Sequence, residues 1–222
     1  MDQLERNKIS MNNHIDGIMK KYSRVLSVRL DLYFLKNSYF EYDARDLQYY
    51  FAKFIKAVNN SINLKDYIAY FRVFELGQDK GLHCHCLFMY NGQKRQNDYW
   101  IGKCLGELWV RVTEGRGDYY NVNSSDSKER IRSYQQSEMY REDLLEICRV
   151  PSVAEDIFQE TLLGLESEDF NTLGVGMLKR SDNVGWMNVR ALANYFCKKE
   201  QSLPGGHGRR IRSFAQSSRA RT

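Results

Sequence analysis

From residue 24 to 34, in RVLSVRLDLYF, apolar and polar positions alternate. Leu26, Val28, Leu30, Leu32 and Phe34 fall on one face, and Val25, Ser27, Arg29, Asp31 and Tyr33 on the other. A period of two predicts a half-buried strand. Over 43–60 the period changes: Leu47, Tyr50, Phe51, Phe54 and Val58 recur at helical spacing and predict an amphipathic helix. DYIAYFRVFE (66–75) is rich in aromatic and β-branched residues and reads as a second strand. GQDKG (77–81) is a turn, and GLHCHCLFMYNG (81–92) is a third strand that closes a hairpin.

Further along, NDYWIGKCLGELWVRVT (97–113) reads as a helix weakened by Gly102 and Gly106. Residues 114–130 read as loop, with a short strand near Tyr119 to Val122. A helical insertion is expected over about 125–170, with a helix start at Pro151 and a capping box in SVAE (152–155). TLGVGMLKR (172–180) predicts another strand, and NVRALANYFCKKE (188–200) a final helix. The order β-α-β-β-α, then later β and α, predicts an α+β fold with an antiparallel sheet. The expectation is one domain over 1–200 followed by a flexible basic tail, 201–222.

Composition narrows the class. Of 222 residues, 42% are apolar and 27% charged, which supports a packed core and excludes wholesale disorder. No stretch approaches the roughly 20 apolar residues of a membrane helix, and MDQLERNKISMNNHIDG carries charges where a signal peptide is apolar. The five cysteines are odd in number and form no CxxC pair, so reduced thiols in the cytoplasm are expected. The net charge is +5, but residues 198–222 alone carry seven Lys or Arg against Glu200, which leaves −1 for the rest. A cationic end of this kind binds polyanions, nucleic acid first among them; its bland alternative is a solvated end with no partner. Residues 138–169 are acidic instead, with ten Asp or Glu against two Arg.

The chemistry concentrates in the third strand. His83 and His85, at i and i+2, point the same way. Pairing the hairpin about its five-residue turn sets Leu76 opposite Leu82 and Glu75 opposite His83, with Cβ atoms ~5 Å apart. Two imidazoles and a carboxylate on one face form a metal-ligand set that suits Mg²⁺ or Mn²⁺ for phosphate chemistry, and would also take Zn²⁺. The competing reading is a pair of half-buried histidines that pack and hydrogen-bond. A structural zinc shared with Cys84 and Cys86 is disfavoured, because adjacent residues of a strand face opposite ways; the thiols are expected to act as small hydrophobes. Asp31 shares the face of Arg29; it would either orient a ligand histidine from behind or pair with Arg29, and the plain ion pair is the favoured expectation.

In LANYFCKKE, Tyr195 and Lys198 fall at i and i+3 on one helical face. A phenol attacks a phosphodiester only with help from a cation or a neighbouring ammonium, which Lys198 would supply. Equally, Tyr195 would simply pack in the core while Lys198 reaches to water.

Taken together, HCHC, the preceding acid Glu75 and the Tyr-x-x-Lys of YFCK resemble the HUH endonuclease superfamily. VRLDLYF, FRVFELGQDKGLHCHCLFMYNG, LANYFCKKE and RRIRSFAQSSR together resemble the inovirus gene II-like replication initiators and the YagK/YfjJ C-terminal domain family. The resemblance implies a ferredoxin/RRM-like core. It also implies a divalent cation on His83, His85 and Glu75, and nucleophilic attack by Tyr195 on single-stranded or origin DNA. The products would be a 5′-phosphotyrosine and a free 3′-OH for rolling-circle synthesis, with a host helicase and polymerase as partners in a bacterial cytoplasm. Arg29, Lys199, Arg209, Arg210 and Arg212 would hold phosphates. A transposase or relaxase would share this chemistry, and a replication factor or repressor that lost it would keep only the DNA binding. Tyr119 and Tyr120, beside glycines, are rival nucleophiles.

Overall fold

The computed structural model describes residues 3–35, 42–77, 81–135, 174–196 and 214–218; the side chains of 3, 4, 131–135, 194, 195 and 214–218 lie outside the description. The chain is α+β, with an antiparallel sheet flanked by helices. The elements are α1 (Gln3–Lys21), β1 (Arg24–Phe34), α2 (Ala44–Asn60), β2 (Tyr67–Gly77), β3 (Gly81–Asn91), α3 (Asp98–Val112), β4 (Gly117–Asn121), α4 (Ser125–Gln135), β5 (Gly176–Lys179), α5 (Asn183–Phe196) and β6 (Phe214–Ser218). None of the described helices is long and apolar enough to cross a membrane. Two compact units emerge, and both draw on β1 and β3.

The unit that carries the His strand is built on the sheet order β4-β1-β3-β2-β6. Its helix α2 starts where the sequence placed it, because Asp43 accepts from the Arg45 and Asp46 N–H groups while Asp46 returns a bond to the Asp43 N–H. Leu47, Phe51, Phe54 and Val58 then form the buried stripe. Phe54 meets Phe88 of β3 and Trp109 of α3 edge to face, with centroids 6.1 and 5.9 Å apart. The Trp109 indole N–H is satisfied by the Tyr33 carbonyl at 3.1 Å.

The short strand expected near Tyr119 to Val122 is β4, which starts two residues earlier at Gly117, with Leu32 opposite Tyr119 and Asp31 opposite Tyr120. The Tyr119 ring lies against α3 at Gly106, where a Cβ would come within 2.1 Å of the ring. Gly106 therefore makes room for the ring rather than weakening the helix without return. Gly106→Ala gains helix propensity yet forces the ring aside, so a net loss of about 1–3 kcal/mol is expected in urea denaturation.

Within the segment expected to be a flexible tail, Phe214–Ser218 is the strand β6. It pairs antiparallel with β2, from Val73 opposite Phe214 to Ala69 opposite Ser218. The cause is the outer edge of β2, a row of unpaired N–H and C=O groups that any extended segment in reach can satisfy. β1 also departs from expectation. Val25, Ser27 and Asp31, assigned to the polar face, are buried, so the strand is covered on both faces over most of its length.

The other unit contains α1, which composition did not reveal as a helix. Met11, Ile15 and Ile18 recur at helical spacing and are buried, with Glu5 in the first turn and Lys20 and Lys21 in the last, as the helix dipole favours. β5 pairs with the start of β1, Leu178 opposite Val25. α5 begins at Asn183, five residues earlier than expected, because Asp182 Oδ1 accepts from the Gly185 N–H at 2.7 Å as an N-cap does. Val184 and Met187, together with Trp186, extend its buried face. Arg190 of α5 donates to Asn12 Oδ1 at 2.8 Å and bonds Asp16, which ties α5 to α1. The acidic segment 138–169 lies outside the described residues.

Candidate metal centre

β3 is buried along nearly its whole length, on both faces. Its histidines therefore need partners, since a buried polar group without one costs a few kcal/mol. Alternation sends Cys84 and Cys86 to the face where Phe88 meets α2. Both are fully buried there, with Sγ atoms 3.3 Å apart, and burial pushes the Cys86 thiol up. The expectation of packed thiols on the side away from the histidines matches this placement.

On the opposite face, the Nε2 atoms of His83 and His85 lie 3.1 Å apart. Glu75 Oε2 lies 3.1 Å from His85 Nε2 and 3.9 Å from His83 Nε2. The carboxylate thus leans toward His85 rather than the expected His83. Each ring is fixed from behind. His83 Nδ1 donates to the Gly81 carbonyl at 2.9 Å, and Gly81, at φ 59, holds a backbone conformation that favours glycine. His85 Nδ1 lies 2.6 Å from Asp31 Oδ1. Both imidazoles therefore turn Nε2 toward the same point, the arrangement that a carboxylate or carbonyl behind a ligand histidine produces. Gly77 completes the fit, because a Cβ there would lie 3.0 Å from His83 Cε1.

The expected Arg29–Asp31 ion pair is present but loose, and the alternative place of Asp31, behind a ligand histidine, is the tighter contact. Arg29 Nε is 3.9 Å from Asp31 Oδ1, whereas His85 takes that oxygen at 2.6 Å. Asp31 is chiefly the residue that orients His85.

Glu75, His83 and His85 are the one group of three among the described residues able to hold a metal ion, all ligand atoms lying within 4.8 Å of one another. The fit rests on the donors themselves: two lone-pair nitrogens with fixed tautomers and one carboxylate, converging where a cation would sit. The histidines are 5% and 6% exposed, so access is from the Glu75 side, whose side chain is 25% exposed.

The protonation pattern without a cation is asymmetric. Burial lowers the pKa of His83, partly offset by its bond to Gly81. Burial also acts to lower that of His85, but its hydrogen bonds to Asp31 and Glu75 and the charge of Asp31 outweigh burial and raise the pKa from 6.5 to about 9. The cation-free protein is expected to gain stability from the His85 proton. That gain, roughly 3 kcal/mol, is complete below pH 6.5 and lost as pH climbs through about 9. Thermal denaturation in EDTA from pH 6.5 to 9 should show a falling Tm, and Asp31→Asn should flatten the slope. A cation competes with that proton, so Mn²⁺ affinity should rise with pH over the same interval.

Of the remaining expected site residues, Tyr195 belongs to α5 and its side chain lies outside the description. Lys198, Lys199, Arg209, Arg210 and Arg212 lie outside the described residues. Sequence reasoning missed the roles of Gly81 and Gly77, and of the two partners it named for Asp31 it favoured the looser one. Compared with known proteins, the chain matches no family model, no curated protein and no solved structure.

Proposed function

We propose that this chain is a metal-dependent DNA nickase and strand-transferase of the HUH type that initiates rolling-circle replication. The single observation that carries the reading is the convergence of His83, His85 and Glu75 with both Nδ1 atoms anchored. The chain order β1-α2-β2-β3-α3-β4 with strand order β4-β1-β3-β2 supports it too, since a split β-α-β core places a central strand's side chains at the middle of the sheet.

His83, His85 and Glu75 would hold Mg²⁺ or Mn²⁺, the two nitrogens favouring Mn²⁺ over the more oxygen-seeking Mg²⁺. Such a cation supplies Lewis-acid polarisation of a phosphoryl oxygen. Asp31 and the Gly81 carbonyl hold the imidazoles in the orientation and tautomer that leave Nε2 free to ligate. Tyr195 attacks phosphorus: its O–P bond forms, the P–O3′ bond breaks, the phenol loses its proton and the 3′ oxygen gains one. Lys198 stabilises the charge that develops. Arg29 and the arginines 209, 210 and 212 contact flanking phosphates. The released 3′-OH primes synthesis by the host helicase and polymerase, and the 5′-phosphotyrosine retains the energy of the broken bond for later rejoining.

The test is covalent capture. The protein is incubated with single-stranded oligonucleotides drawn from candidate origins and Mn²⁺, then run on a denaturing gel. A shifted band that needs Mn²⁺, disappears in EDTA and maps to the peptide containing Tyr195 is expected. Tight oligonucleotide binding without any adduct would replace this reading by a non-catalytic DNA-binding factor.

A further inference from the structure

Register places a phenol, that of Tyr120, on the sheet face that carries the candidate cation site. β4 pairs with β1 so that Asp31 stands opposite Tyr120, and residues directly opposite in an antiparallel pair share a face. Neighbouring contacts verify the parity. Tyr33 donates to Asp118, its register partner, at 3.3 Å, while Tyr119 turns to the helical face against Gly106. Tyr120 (β4), Asp31 (β1), His85 (β3) and Glu75 (β2) therefore form one row across four adjacent strands on one face. Asp31 and His85 in the middle of the row are buried, whereas Tyr120 and Glu75 at its ends are half-exposed.

Distance decides what Tyr120 can do. Its Cα lies two strand spacings, about 10 Å, from that of His85, and the Asp31 side chain stands between them. A nucleotide flanking the cleaved phosphate would come within reach of its ring. A half-exposed aromatic ring is a group on which a base stacks, whatever the base.

We infer that Tyr120 is a nucleotide contact of the strand that the site cleaves, a phenol that grips the substrate on the β4 side of the row. The inference rests on the proposed nucleic-acid substrate but not on the catalytic step.

The test uses the full chain and a fluorescein-labelled single-stranded oligonucleotide of random sequence, with Kd read by anisotropy and Mn²⁺ binding by calorimetry. Tyr120→Ala should raise the oligonucleotide Kd roughly ten- to hundredfold, with the Mn²⁺ Kd unchanged as proof of an intact site. Tyr120→Phe, which keeps the ring, should stay near wild type. Unchanged oligonucleotide affinity in Tyr120→Ala overturns the inference and leaves the proposed function standing, as does a parallel loss of Mn²⁺ binding, which would mean that Tyr120 acts through Asp31. Should wild type bind oligonucleotide without forming an adduct, the catalytic reading fails while the Tyr120 comparison still decides the contact.

Discussion

His85→Ala is expected to abolish Mn²⁺ binding and to cost about 3–5 kcal/mol of stability in EDTA at pH 7. Both effects come from the same atoms. His85 contributes one of three converging donors, so its loss leaves an incomplete ligand set. Without a cation, its raised pKa keeps it charged at pH 7, held between Asp31 at 2.6 Å and Glu75 at 3.1 Å. Removing it takes from the Asp31 carboxylate, 5% exposed, its nearest partner and leaves Arg29 at 3.9 Å, and a buried charge that loses its best partner costs far more than an absent pair. The double variant Asp31→Ala/His85→Ala should therefore recover much of the stability and none of the Mn²⁺ binding. Urea denaturation and calorimetry read the two quantities separately. A single variant as stable as wild type would mean that the pair is not charged in the folded protein, and Mn²⁺ binding retained in it would remove the metal centre altogether.

Tyr195→Phe should lower the rate of covalent adduct formation by at least about 10⁴-fold, as loss of a nucleophile does when no other group replaces it. The substitution removes one oxygen and keeps the ring, so α5 should fold unchanged. Its neighbours Ala193 and Phe196 are buried, and Arg190 fastens the same helix to Asn12 and Asp16 of α1. Affinity for Mn²⁺ and for single-stranded oligonucleotide should remain within about twofold, because neither depends on the hydroxyl. Single-turnover adduct assays at saturating Mn²⁺ and oligonucleotide measure the rate alone. An adduct that persists at the wild-type rate would assign the nucleophile to another tyrosine, and peptide mapping would identify it.

Much of the layout is legible without coordinates because it depends on short-range periodicity. Alternation found β1, the stripe of Leu47, Phe51, Phe54 and Val58 found α2, and the glycine-flanked turn found the β2–β3 hairpin. α1 escaped because its three buried apolar residues are spread among polar ones. The start of α5 escaped because Gly185 masks a helix that Asp182 caps. β6 carries no local signature at all; it is a strand only because the edge of β2 is there to receive it.

By itself, then, the sequence determined which side chains share a face. His83 and His85 must point one way and Cys84 and Cys86 the other, because side-chain direction in a strand is fixed by covalent geometry. The tertiary structure decided the partners. Asp31, 54 residues away, reaches His85 only because β1 lies beside β3, and Tyr120 joins that row only because β4 pairs with β1 in one register. Strand neighbours and register are set by burying both faces of the central strands together, a collective choice that no local stretch of chain encodes.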